Sequence, residues 1–135
     1  DGKMKRINTY FGFFDPDNLH QVLRKVHEIA REKFPDEDPL VAYEFLRYAS
    51  QYFRNGIRCR ALVASKPGCM GVYLLGLDID AFIAFLSAHD YGQAFIDRIR
   101  SHRTQLAHVR VDMGMDFHIL NGEFVIRKTA FWGSV

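Results

Sequence analysis

The sequence predicts an α+β domain in which helices pack on one face of a mostly antiparallel sheet, with the element order β-α-α-β-β-α-β-β-β. Three observations predict this class: two helical apolar stripes that follow Asp-Pro pairs, a hairpin turn at Lys66-Pro67-Gly68, and alternating polar and apolar residues in the last third. Residues 4–135 are predicted to form a single domain, and residues 1–3 to be a remnant of cloning that precedes a native Met4. A chain of 135 residues can bury one hydrophobic core without a metal or a disulfide.

The first half of the chain predicts one strand and two helices. β-branched and aromatic residues at 6–14 indicate the strand. Asp15-Pro16 and Asp38-Pro39 are typical helix starts, since a carboxylate caps the helix and proline fits its first turn. The second helix is apolar on more than one side, and Asn55-Gly56 fits its end. This helix is therefore predicted to be central.

The second half predicts two hairpins around another helical region. Strands at 57–65 and 69–77 flank the turn at Lys66-Pro67-Gly68, and Gly92 either bends or divides the apolar helix that follows. Gly114 is predicted to break or bulge the strand that begins near Gln105. Asn121-Gly122 is the strongest hairpin signal. A two-residue turn there predicts the pairs Ile119 with Phe124, His118 with Val125, Phe117 with Ile126, and Asp116 with Arg127.

The charge and cysteine content limit the classes of function. A net charge of +2 does not favour nucleic acid or an acidic membrane, and a block of acids at 76–97 lies between basic blocks with which it is predicted to pair. Cys59 and Cys69 are too far apart in either hairpin register for a disulfide, so free thiols in a reducing compartment are expected. With no transmembrane run and no signal peptide, we expect a cytoplasmic protein.

No motif in the sequence predicts a metal or another cofactor. Asp78 and Asp80 precede a helix, where acids usually act as caps. His89-Asp90 resembles the dipeptide of the HD-type metal phosphohydrolases, but their folds are all-helical and this chain is half strand. The element order is similar to the PAS and GAF sensor folds from the first hairpin onward, and the helical start is similar to the nuclear transport factor 2 type. No residue motif supports these families, and none is assigned.

The first functional hypothesis is a non-catalytic binding module that self-associates as a dimer and holds a small, mainly apolar ligand between helices and sheet. It rests on the aromatic content, 14% of residues, without recognisable catalytic machinery. Nucleic acid and membrane are not expected as partners. The predicted ligand-binding residues are Tyr43, Tyr48, Tyr52, Phe85 and Arg110.

The alternative is a small hydrolase or isomerase that uses a histidine polarised by an aspartate on the C-terminal strands. Arg110 would hold an anionic substrate. The same alternation is also typical of the solvated face of a sheet, so the pattern alone leaves both explanations open. The candidate catalytic residues are His108, Asp112, Asp116 and His118.

Overall fold

The computed structural model describes residues 8–13, 19–52 and 60–134. Nine elements are found in this part of the chain, in the order β-α-α-β-β-α-α-β-β. They are β1 (Thr9–Phe13), α1 (Leu19–Lys33), α2 (Val41–Ser50), β2 (Arg60–Lys66), β3 (Cys69–Leu77), α3 (Ile79–Ala88), α4 (Gln93–Ser101), β4 (Arg110–Leu120) and β5 (Glu123–Ser134).

The five strands form one sheet in the order β1-β2-β3-β4-β5, and each neighbouring pair is antiparallel. The predicted α+β class is confirmed, with one helix more and one strand fewer than expected. The described helices contribute to a single core on one side of the sheet, which we call the covered face. The other side is called the open face.

The covered face is built from alternate residues of β2, β3 and β4. Phe117 of β4 is fully buried and stacks on Phe45 of α2, with ring centroids 3.8 Å apart. The open face carries the strand residues that alternate with the buried ones. The pairing register determines which of these open-face residues lie side by side on adjacent strands. The strand residues buried in the core are Ala61, Val63, Met70, Val72, Leu74, Leu77, Val111, Met113, Met115, Phe117 and Ile119.

The structure decides between the two predicted roles of Gly92 and overturns the prediction for Gly114. Gly92 divides the helical region, because it precedes α4 with a φ of 82° that a continuous helix does not allow. The break predicted at Gly114 is wrong, since β4 runs through it from Arg110 to Leu120. Residues 102–108 form turns, so β4 begins five residues after Gln105.

The β4–β5 hairpin confirms three of the four predicted pairs. Asn121 and Gly122 have φ angles of 53° and 77°, the combination that a two-residue turn between antiparallel strands favours. The fourth pair is wrong: Asp116 pairs with Lys128, because the register shifts by one residue at Arg127. This bulge places Lys128, rather than Arg127, beside Asp116 on the open face.

Several predicted features can be compared directly. Asp38 accepts a hydrogen bond from the backbone N–H of Leu40 at 2.9 Å. The predicted start of α2 at Asp38-Pro39 is nevertheless two residues early, because α2 begins at Val41 and its N-cap, Leu40, forms no side-chain cap hydrogen bond. Asp80 of the acidic block forms a two-pronged ion pair with Arg103 of the following basic block, with both N···O distances 2.6 Å.

Within the described residues, Cys69 is a free cysteine, and no helix is long and apolar enough to cross a membrane. Asp15-Pro16, Asn55-Gly56 and Cys59 lie outside the described residues.

Candidate functional site

The open face has a floor of small residues at its centre. The register places Gly12, Ala64, Gly71, Gly114 and Ala130 around the half-buried Tyr73. The Tyr73 ring lies against Gly114, where a Cβ atom would come within 2.4 Å of a ring carbon. A strand glycine is therefore required for this close approach. A depression of about 500 Å³ lies at Tyr73, and Gly114, Ala130, Leu62 and Leu75 are among the residues that line it.

Three polar side chains form a hydrogen-bonded network in this depression, which we call the open-face network. Lys66 Nζ donates to Asp116 Oδ2 at 2.9 Å and also to the Tyr73 hydroxyl. The Tyr73 hydroxyl donates to Asp116 Oδ1 at 3.0 Å. The side chains of Lys66 and Asp116 are only 16% and 11% exposed, so the ion pair is largely shielded from water. Gly71 gives the carboxylate room, because a Cβ there would lie 2.5 Å from Asp116 Oδ1.

The network fixes the protonation state of its two donors. Burial by itself lowers the pKa of Lys66, but hydrogen bonds to Tyr73 and Asp116 and the charge of Asp116 outweigh it, so the pKa is raised above its usual value. Burial also raises the pKa of Tyr73, and Asp116 adds to this effect while Lys66 opposes it. At neutral pH the network therefore contains an ammonium group and a protonated phenol.

Two exposed aromatic side chains form the walls of the depression. Tyr10 and Trp132 are 52% and 50% exposed. Their ring centroids lie 6.2 Å and 6.0 Å from that of Tyr73, so the three rings form a row across the sheet. Aromatic faces in such a row can stack on a planar group. Below them, the open-face network offers hydrogen bonds.

The predicted catalytic residues are divided between two places. Asp112, Asp116 and His118 lie on the open face, whereas His108 is exposed in the turn before β4. Asp112 Oδ1 accepts the N–H of Gly76 at 2.8 Å. Both Asp116 oxygens accept hydrogen bonds within the open-face network. Among the described residues, the buried His118 Nδ1 has no hydrogen-bond partner, so it is not joined to either carboxylate.

Three predicted ligand-binding residues meet on the covered side of the sheet. Tyr48 and Tyr52 place their hydroxyl oxygens 2.8 Å and 3.3 Å from Nε2 of His89, and the fully buried Phe85 packs 4.8 Å from the His89 ring. Burial raises the pKa of Tyr52, as does its hydrogen bond to Tyr48, and burial lowers the pKa of His89. Burial therefore favours the uncharged forms of Tyr52 and His89, and the cluster connects α2 to the end of α3.

The other two predicted ligand-binding residues lie apart from this cluster. Tyr43 is half-buried and packs near His27, with ring centroids 5.7 Å apart. Arg110 is exposed at the start of β4, where its guanidinium donates to the carbonyl oxygens of Ala107 and Val109 at 3.3 Å each.

The sequence analysis did not name as site residues the aromatic row and the two donors of the open-face network, which are Tyr10, Lys66, Tyr73 and Trp132. Lys66 was assigned only to a hairpin turn, and Tyr73 only to an apolar strand. One signal was present, because Tyr73 alternates with the buried Val72 and Leu74. The contact between Lys66 and Asp116 spans 50 positions, so it depends on which strands are neighbours in the sheet.

Within the described part of the chain, no group of three His, Cys, Asp or Glu side chains is placed to bind a metal. Comparison with known proteins finds no matching family model and neither a curated protein nor a solved structure with significant similarity to this chain.

Proposed function

We propose that this protein is a non-catalytic binding module that takes a small planar ligand in the depression on the open face. The observation that carries the proposal is the open-face network, a largely shielded ion pair beneath exposed aromatic walls. Ion pairs on an ordinary solvated sheet face are exposed and contribute little to stability. A largely shielded pair is therefore not expected on such a face. Binding pockets commonly combine aromatic walls with a few convergent polar groups.

This proposal moves the ligand from the space between helices and sheet, where the sequence analysis expected it, to the opposite face. Side chains such as Phe45, Phe85 and Phe117 are fully buried in that space. Interiors packed in this way contain few voids larger than a water molecule. The depression of about 500 Å³ on the open face is within the range of small-molecule sites.

The test is a titration with caffeine and 1-methyluracil, two uncharged planar compounds, followed through the fluorescence of Trp132. This residue is the only tryptophan of the sequence and forms a wall of the site, so its emission reports directly on binding. We expect at least one compound to bind saturably. Tyr10→Ser should weaken that binding about tenfold, the effect of losing one stacking ring.

The matched control is Phe95→Ser, which removes an exposed aromatic side chain from α4. It should leave the affinity unchanged. Absence of binding by both compounds, or equal loss in the two variants, would overturn the proposed site.

Self-association is the second part of the proposal, and the edge strand β5 supports it. Within residues 8–13, 19–52 and 60–134, β5 pairs with β4 on one side only, and an unpaired strand edge can pair with another chain. Two copies that join antiparallel along β5 would satisfy two-fold symmetry and leave both open faces accessible. Light scattering during gel filtration should give the mass of a dimer; a monomer mass at high protein concentration would rule this part out.

The hydrolase or isomerase alternative is favoured less by the geometry. Asp116 is already engaged by Lys66 and Tyr73, and Asp112 holds a backbone N–H of the β3–β4 irregularity. The alternative assumes a histidine base that one of these carboxylates polarises. Neither carboxylate forms that contact with His118 Nδ1.

A further inference from the structure

The open-face network defines the hydrogen-bonding pattern that a ligand must carry. Lys66 Nζ has two acceptors among the described residues, the Tyr73 hydroxyl and Asp116 Oδ2, whereas an ammonium group has three N–H donors. Each Asp116 oxygen accepts one hydrogen bond in the network and has a second lone pair. The depression therefore offers one further donor and one further acceptor from groups 2.9 Å apart.

The charge balance of the depression favours an uncharged ligand. Lys66 and Lys128 line it together with Asp112 and Asp116, so two positive and two negative formal charges cancel. An anion at the network would lie beside the Asp116 carboxylate, and a cation would lie beside the Lys66 ammonium. Separating this largely shielded pair to suit a charged ligand is costly, because each charge would lose its partner.

The row of aromatic rings favours a flat ligand. Tyr73 is pressed against the sheet at Gly114, and the rings of Tyr10 and Trp132 stand on either side of it. A flat ring can stack on these faces and direct its edge toward Lys66 and Asp116. An apolar ligand could stack on the rings, but it would leave the remaining donor of Lys66 and the remaining acceptor of Asp116 without hydrogen-bond partners.

We propose that the ligand is an uncharged heteroaromatic compound with a lactam edge, in which a ring carbonyl accepts from Lys66 and the adjacent ring N–H donates to Asp116. This inference rests on the proposed function and specifies the ligand class for the same site. A lactam places its acceptor and donor on adjacent ring atoms, which suits two parallel hydrogen bonds to neighbouring groups. Pyrimidine and purine bases with a ring carbonyl carry this edge.

The direct test compares two ligands that differ by one methyl group. 1-Methyluracil keeps the N3–H donor, whereas 1,3-dimethyluracil has a methyl group at that position. Isothermal titration calorimetry on the unmodified protein should show at least about tenfold weaker binding of 1,3-dimethyluracil, because its binding leaves the Asp116 acceptor unsatisfied. No variant is needed for this comparison, so it does not depend on the folding of a mutant.

A variant pair tests the protein side of the same contact. Lys66→Met removes the donor to the ring carbonyl and should weaken 1-methyluracil at least about tenfold. It should affect caffeine less, since an N-methyl group beside each caffeine carbonyl hinders its approach to the Lys66–Asp116 pair. Lys25→Met is the matched control, because Lys25 is also ion-paired but lies on α1 with Glu28. It should leave both affinities unchanged.

Two outcomes of these titrations distinguish failure of the inference from failure of the proposed function. Equal affinity for 1-methyluracil and 1,3-dimethyluracil would exclude recognition of the lactam edge. The proposed function would still stand if caffeine bound at Trp132. Absence of binding by all three compounds would instead contradict the proposed function itself.

The same lactam edge occurs in a free base and in a base of a single-stranded nucleic acid. The balanced charges favour the free compound, because binding of a strand relies on cations that neutralise phosphates. Octauridylate should therefore bind no more than about tenfold tighter than uridine. A larger gain that disappears as salt is raised would overturn the assignment to a free ligand in favour of a strand.

Discussion

On the covered face of the sheet, Phe117 is fully buried and stacks on Phe45, whereas its neighbour Asp116 on the open face is held by hydrogen bonds from Lys66 and Tyr73. Successive residues of one strand thus belong to two different kinds of environment. The covered face is stabilised by apolar burial and close packing. The open face depends on a polar network that fits only because glycines lie beneath it. We infer that the first face maintains the fold and the second is available for binding.

The largest expected effect is on the covered face. Phe117→Ala should lower the free energy of unfolding by about 3–5 kcal/mol, because it removes a fully buried ring and leaves a cavity. Leu120→Ala, three residues along the same strand and 53% exposed, should change it by less than about 0.5 kcal/mol. Urea denaturation of both variants measures the contrast. Similar losses in the two would break the distinction between the faces.

The next effect concerns the glycine beneath Tyr73. Gly114→Ala should cost about 1–3 kcal/mol of unfolding free energy, because the new Cβ meets the Tyr73 ring. Gly133→Ala on the neighbouring strand is the matched control, since a Cβ there meets nothing within 4 Å. Adding Tyr73→Ala to Gly114→Ala should cost less than the sum of the single changes, as urea denaturation would show. Strict additivity would mean that the two residues are not in contact in solution.

The ion pair of the open-face network should have a comparable but smaller effect. Lys66→Met should cost about 1–2 kcal/mol, because it leaves the largely shielded Asp116 carboxylate without its cation. The double variant Lys66→Met/Asp116→Leu should regain part of this loss, since two apolar groups replace the pair. A double variant less stable than Lys66→Met in urea denaturation would show that Asp116 is stabilised by groups other than Lys66.

The smallest effect is a pH dependence on the covered side. Because burial lowers the pKa of His89, the folded protein binds fewer protons than the unfolded chain below the ordinary histidine pKa of about 6.5. The free energy of unfolding contributed by neutral His89 is therefore fully present above that pH and falls as the pH drops below it. The slope should stay below about 1.4 kcal/mol per pH unit. Urea denaturation between pH 7 and pH 5 should show a shallower decline for His89→Gln, and an identical decline would exclude His89 as the cause.

The fold could be predicted further than the site because its signals are local. The pattern around Asn121-Gly122 predicted the hairpin and three of its pairs. The bulge at Arg127 was missed because it has no local signature comparable to that turn. The interruption predicted at Gly114 was wrong because the reason for this glycine is not local. The Tyr73 ring that it accommodates belongs to β3, which is distant in sequence. Lys66 and Asp116 meet only through the order of β2, β3 and β4.

An NMR map of the backbone amides that shift when 1-methyluracil or caffeine is added would decide directly which face binds. We expect shifts around Lys66, Tyr73 and Asp116, together with the indole N–H of Trp132. Shifts centred on Tyr48 and His89 would place binding on the covered side instead. That result, or no shift around Tyr73, would contradict the assignment of the open face as the binding site.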